Sequence, residues 1–160
     1  METSKKSKTK KHLLIPTMGL PRCGKSTWSR EMAKKYGIPI VCPDSIRISL
    51  YARDFIAEAE PMVWTIAKYM VKSLFHSGHP IVILDATNLN NMRDEWHSKG
   101  WDTAFKQFNT KKEICIKRAI SGKRDYLVPV IERMDRFTVG LAPDETKFTS
   151  KLLKKYIWKD

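Results

Sequence analysis

The sequence predicts an α/β fold, a parallel sheet covered by helices on both faces. Three observations predict it. Short apolar runs alternate with segments of helical character, the pattern left by parallel strands joined through crossover helices. A glycine-bearing turn, Gly19-Leu-Pro-Arg-Cys-Gly24-Lys25-Ser26, stands between the first apolar run and the first helix. A length of 160 residues suits one domain with a real core and is short for two.

Taken in order, His12 to Met18 is an apolar run ending at Gly19, the signature of a buried strand entering a turn. Pro16 lies inside it and has no N–H to give a ladder. The strand is expected all the same, because the turn after it needs one. Ser26 to Lys35 is helical in character. Ile38 to Cys42 is a second strand, closed by Pro43, and Ser45 to Tyr51 a short helix. Pro61 suits the first turn of a long helix with Val63, Ile66, Met70 and Leu74 along one face, ending near Gly78. Pro80 to Asp85 is the third and most apolar strand. Asn91 to Lys99 is helical, and Thr103 to Phe108 alternates like a strand. Helices are expected over Lys111 to Ile120, Pro129 to Phe137 and Glu145 to Tyr156.

Apolar residues at 42% indicate a folded chain, and no apolar run approaches the ~20 residues of a membrane helix. Residues 1–11 are polar and lysine-rich, so they are expected to be a basic flexible tail rather than a secretory leader. Residues 12–160 then form a single domain. Cys23, Cys42 and Cys115 lack C-x-x-C spacing, and the four histidines lack paired ligand spacing. A disulfide framework and a structural zinc are not expected, and the thiols suit a reducing, cytoplasmic setting.

The net charge of +13 is unevenly distributed. Residues 1–12, 117–124 and 147–160 each carry +4. Clustered lysine and arginine attract polyanions by releasing counterions, although lysine-rich ends also serve simply as solvated tails.

Residues 19–26 match G-x-x-x-x-G-K-[ST] in full. Glycines let the backbone wrap phosphate oxygens with its amides inward, and the helix that follows presents its positive end to the same anion. Gly19, Leu20, Pro21, Arg22, Cys23, Gly24, Lys25, Ser26 and Thr27 are therefore the expected nucleotide-binding residues. Lys25 would reach the β and γ phosphates, and the Ser26 hydroxyl would ligate Mg²⁺. ATP, GTP or another NTP with Mg²⁺ is implied. No N-K-x-D-like segment follows a strand, and the length is small for a motor, so a kinase is the expected class.

A kinase acting on a hydroxyl needs a carboxylate near the γ phosphate. Asp44 follows the second strand, on the sheet edge where the loop also lies, with Arg47 three residues on. Asp44 equally suits a helix N-cap. Asp85 follows the third strand, where a carboxylate can reach Mg²⁺ directly or through water; the other reading is a turn cap with Thr87 and Asn88. Arg93 suits either a phosphate or a pairing with Asp94 or Glu95. Lys117-Arg118-Ala-Ile-Ser-Gly-Lys123-Arg124 suits a basic lid over the phosphates, within a helical segment of about 111–137. Its Gly122 is a hinge or a helix end. Cys23, beside Lys25 at a helix N-terminus, is expected to be a reactive thiol that ATP protects, and a Cys23–Cys42 disulfide is a further reading.

Three blocks, G-L-P-R-C-G-K-S-T-W-S-R-E at 19–31, P-D-S-I-R at 43–47 and D-A-T-N-L-N-N-M-R at 85–93, resemble the kinase domain of the bacteriophage polynucleotide 5′-kinase family, spacing included. The resemblance spans roughly residues 12–140. It implies a P-loop kinase fold with a four-stranded parallel sheet in the order 2-3-1-4. It implies transfer of the γ phosphate of an NTP to the 5′-hydroxyl of DNA or RNA, in the host cytoplasm if the chain is viral. Under it, Asp44 is the general base and Arg47 holds the acceptor phosphate. Asp85 organises the site, and Arg118 and Arg124 are the lid arginines. The lid spacing is longer than the family's, which leaves Lys123 as a rival to Arg124. Pro43 stands where the family has an arginine, and no phosphatase activity is expected. Two other classes share the same features: a small-molecule or nucleoside kinase, and a nucleic-acid-binding protein with vestigial nucleotide binding.

Overall fold

A computed structural model of the chain describes residues 12–157; the lysine-rich stretch at residues 1–11 lies outside them. The first apolar run becomes β1 (Leu13–Met18), every side chain of which is buried. It takes the centre of a parallel sheet ordered β2-β3-β1-β4, with β2 at Ile40–Val41, β3 at Ile81–Leu84 and β4 at Asp102–Thr103. The predicted order 2-3-1-4 is thus the order found.

The sheet differs from the prediction in its fourth strand. A fifth strand, β5 (Lys106–Gln107), also pairs with β1. The register does not slip between them: Leu13 faces Asp102 and Thr17 faces Lys106, the same offset. Pro16 explains the break. Leu14 accepts from the Ala104 N–H, so residues of its parity face this edge, and Pro16 shares that parity. The missing proline N–H removes one ladder bond in mid-strand. Beyond it, the Phe105 N–H donates to Thr146 and its carbonyl accepts from Phe148, bonding the chain onto residues 146–148.

Alternation along β1 and β3 feeds two cores. Leu14, Val82 and Leu84 point to one face, with Val41, Ile46 and Val63. Leu13, Ile15, Ile81 and Ile83 point to the other, with Ile38, Phe148, Leu153 and Tyr156. The first face is covered by α2 (Pro43–Tyr51) and α3 (Glu60–His76), the second by α1 (Lys25–Tyr36) and α6 (Ser150–Tyr156). On α3 the buried stripe is Val63, Ala67, Val71 and Phe75; Met70 is exposed, so the stripe lies one residue round from the predicted one. The last helix starts later than expected because residues 146–148 bond to Phe105 instead. Residues Asn91–Trp96 form 3-10 rather than α-helical turns, opened by Asn90, whose side chain accepts from the Met92 N–H.

A third core lies beyond the sheet edge. Met18, Leu20, Cys23 and Leu89 pack on Cys115, Ala119 and Ile131. The last three belong to α4 (Lys112–Ser121) and α5 (Val128–Arg136). The basic segment is therefore anchored under the glycine-bearing turn. Gly122 ends α4 with an ordinary φ of −85°, and the left-handed residue is Lys123, at φ 56°.

Candidate active site

The exit of β1 is sewn to the exit of β3 by one threonine. Thr17 is fully buried; its hydroxyl donates to Ala86 O at 2.7 Å and accepts from the Ala86 N–H at 3.0 Å. Asn88 donates back to Thr17 O at 2.8 Å, and the Gly19 N–H donates to Thr87 O at 3.0 Å. These bonds hold Asp85 against the start of α1. Ser26 Oγ donates to Asp85 Oδ2 at 2.8 Å.

The two loop glycines are required for different reasons. Gly24 sits at φ 109°, a conformation that L side chains rarely adopt, with open space where a Cβ would go. At Gly19 a Cβ would lie 2.6 Å from Cys23 Sγ, so space alone excludes a side chain. Lys25 is 8% exposed, its ammonium donating to Gly19 O at 3.0 Å and Leu20 O at 2.6 Å. Pro21 and Arg22 form the tip between Leu20 and Cys23, with Arg22 left-handed at φ 67°. Thr27 follows Ser26 in the first turn of α1 and is exposed, as Ser26 is.

Asp85 is 7% exposed, and burial pushes its carboxyl above the usual range. The Ser26 hydrogen bond and the charges of Lys25 and Arg30 oppose that rise, while Asp44 adds to it. Asp44 and Asp85 thus share one electrostatic field. Ser26 and Asp85 offer hard oxygen donors within one hydrogen bond of each other, the donor type Mg²⁺ takes. Among the described residues no three His, Cys, Asp or Glu side chains cluster as a metal cage. A Mg²⁺ held by few protein oxygens and completed by phosphates fits this set.

Asp44 lies in the first turn of α2, whose N-cap residue is Cys42, so the capping reading is corrected. The Cys42 carbonyl starts the helix, and Pro43 takes the position where a missing N–H costs nothing. The Asp44 carboxylate is 76% exposed and accepts from Arg47 Nη1 at 2.6 Å. Arg47 is held in turn by a residue that no sequence motif marks. Glu60, the first residue of α3, accepts two parallel bonds, from Nε and from Nη2, both at 2.7 Å. Trp64 Nε1 donates to the same carboxylate at 3.0 Å, and its ring lies under the guanidinium. The Glu60 bonds raise the Arg47 pKa, and Arg47 lowers that of Glu60. Glu60→Gln is expected to slow turnover about tenfold through loss of one charge-assisted bond. Steady-state kinetics check it.

The lid residues separate. Arg118 donates to Arg22 O at 3.1 Å, which ties α4 to the loop tip. An open groove of about 500 Å³ lies there, lined by Arg22, Ile114, Lys117, Arg118, Ser121 and Gly122. Arg124 is exposed, and its charge bears on Tyr126. Tyr126 donates to Asp54 Oδ2 at 2.8 Å, joining the segment after α4 to the segment after α2.

One sequence reading is corrected outright. Arg93 meets neither a phosphate site nor its helix neighbours. It is 3% exposed and donates to Asn88 O, Val139 O, Gly140 O and both Glu145 oxygens. Cys23 is 4% exposed and packed in the third core, with the Lys25 ammonium donating to its Sγ at 3.5 Å, so the expected lysine neighbour is in place and burial restricts access to the thiol. Cys23, Cys42 and Cys115 are all free thiols. Among the described residues no helix is long and apolar enough to cross a membrane.

A family model described as AAA domain matches residues 14–119, more than half of the chain. A chain of a structure of the Pnkp1/Rnl/Hen1 complex is similar at 26% identity and a TM-score of 0.62, covering 71% of this chain and 42% of that one. A chain of the Pnkp1/Rnl/Hen1 RNA repair complex is similar at 21% identity and a TM-score of 0.63, covering 92% of this chain and 54% of that one. This chain thus spans roughly half the length of those it matches there. A gluconokinase from Sinorhizobium meliloti 1021 shares the fold at 15% identity and a TM-score of 0.56, with coverage of 86% and 81%.

Proposed function

The chain belongs to the AAA-domain family matched by residues 14–119, and from that premise we propose that it is a Mg²⁺-dependent polynucleotide 5′-hydroxyl kinase, moving the γ phosphate of ATP or another NTP to DNA or RNA. The observation that carries this reading is the openness of the acceptor side. Asp44 is 76% exposed and clamped by Arg47, and its charge reaches Asp85. A small-molecule kinase encloses its acceptor; a strand end needs an open approach. The positive charge supports the same substrate, and so does the likeness to the Pnkp1/Rnl/Hen1 complex chain.

In this reading the residues divide the work. The loop amides and Lys25 hold the β and γ phosphates. Ser26 and Asp85 hold Mg²⁺, which when bound supplies charge neutralisation across the phosphates. Asp44 accepts the proton of the 5′-hydroxyl as its oxygen attacks, and Arg47 holds the acceptor's adjacent phosphate. Arg118 and Arg124, with Lys123 as the rival for the second role, stabilise charge on the transferring group.

The test is transfer of label from γ-labelled ATP with Mg²⁺. Acceptors are 5′-hydroxyl single-stranded DNA, the matching RNA, a nicked duplex, a nucleoside mixture and gluconate. Label on the oligonucleotides is expected. Label on nucleosides or gluconate alone, or on no acceptor, overturns the reading.

A further inference from the structure

Two aromatic rings flank the acceptor side without a packing role. Phe55 is 63% exposed and Tyr126 is 55% exposed. Among the described residues neither ring packs against another aromatic ring. They arrive from distant parts of the chain, Phe55 from the segment after α2 and Tyr126 from the segment after α4. The Tyr126 hydroxyl bond to Asp54, the residue before Phe55, joins the two segments. Asp44 is close enough that its charge acts on the Tyr126 hydroxyl.

Both rings follow helix ends: Ala52, left-handed at φ 53°, caps α2 with its N–H on Ile48 O, and Lys123, at φ 56°, follows the end of α4 with its N–H on Ile120 O. Exposed Arg53 stands two residues before Phe55, next to Asp54, and exposed Lys123 and Arg124 stand just before Asp125 and Tyr126. Flat, exposed π faces interleaved with cations beside a hydroxyl-activating carboxylate match one ligand chemistry: an unstacked nucleobase followed by its phosphates.

We propose that Phe55 and Tyr126 form a stacking platform for the first base of the acceptor strand, setting its 5′-hydroxyl against Asp44. The inference rests on the polynucleotide kinase reading and adds the residues that select for the base. The Asp54 bond orients the Tyr126 ring; the ring face does the binding. It predicts that the base, and not only the phosphate, is recognised, while any base will serve because each offers a π face.

The experiment compares a 5′-hydroxyl oligonucleotide with the same strand abasic at its first position, using wild type, Tyr126→Ala, Tyr126→Phe and Phe55→Ala. For wild type the abasic strand is expected to raise the acceptor KM about tenfold, in line with one base stack. Tyr126→Ala and Phe55→Ala are expected to raise the KM for the normal strand by a similar factor, falling in KM more than in kcat, and to add nothing on the abasic strand. Tyr126→Phe keeps the ring but loses the Asp54 bond, and its KM should fall between wild type and Tyr126→Ala. Equal wild-type KM for both strands, or a Tyr126→Phe defect as large as that of Tyr126→Ala, overturns the platform. A second readout needs no turnover: quenching of 2-aminopurine placed at the first position, expected with wild type and lost in Tyr126→Ala. Wild type that quenches yet phosphorylates no oligonucleotide would sink the kinase reading and leave the platform standing. Turnover without quenching would do the reverse.

Discussion

Asp44→Asn is expected to lower phosphoryl transfer about 10³-fold, the middle of the range for removing a positioned base. The substitution keeps the size of the side chain and its place in the first turn of α2. An amide oxygen still accepts from Arg47, so the clamp by Glu60 and Trp64 is left in place. What it loses is the capacity to take a proton. The loss should therefore fall in kcat, with ATP affinity unchanged within twofold by equilibrium titration. A defect below tenfold would mean that the acceptor hydroxyl loses its proton elsewhere, and Asp44 would become only an anchor for Arg47.

How much of this site was legible follows from sequence distance. The phosphate loop is eight contiguous residues, so its chemistry and its strand–turn–helix setting are both local. Asp44 and Asp85 were legible because each ends an apolar run, and a parallel sheet gathers strand ends on one edge. Glu60 was not, because it is thirteen residues from Arg47 and belongs to no motif. Cys23 illustrates the same limit in reverse. Its place beside Lys25 at a helix N-terminus suggested an activated thiol, and the Lys25 ammonium does donate to its Sγ at 3.5 Å, but the packing that buries it comes from Cys115, Ala119 and Ile131 on later helices. The interruption of the fourth strand was visible as Pro16 in the first, and needed only the pairing partner to be placed.

Arg93→Met is expected to cost about 3–5 kcal/mol, because it strands a buried carboxylate. Glu145 is 6% exposed on its side chain and takes two 3.0 Å bonds from Arg93, with a third from the Ala142 N–H. The other guanidinium bonds pin residues 139–140 beside Asn88, behind the turn that positions Asp85. In a domain this size that loss corresponds to a fall of roughly 10 °C in melting temperature. The pH dependence identifies the cause. The Arg93 bonds hold the Glu145 carboxyl below its ordinary value. A carboxyl lowered on folding stabilises the native state above its unfolded pKa, and that contribution disappears as pH falls through the lowered value. The gap between wild type and Arg93→Met should be full at pH 7 and shrink as the medium is acidified below the usual glutamate range. Thermal melts across that span check it. A gap that stayed constant into acid would assign the loss to the carbonyl bonds of Arg93 and not to its pairing with Glu145.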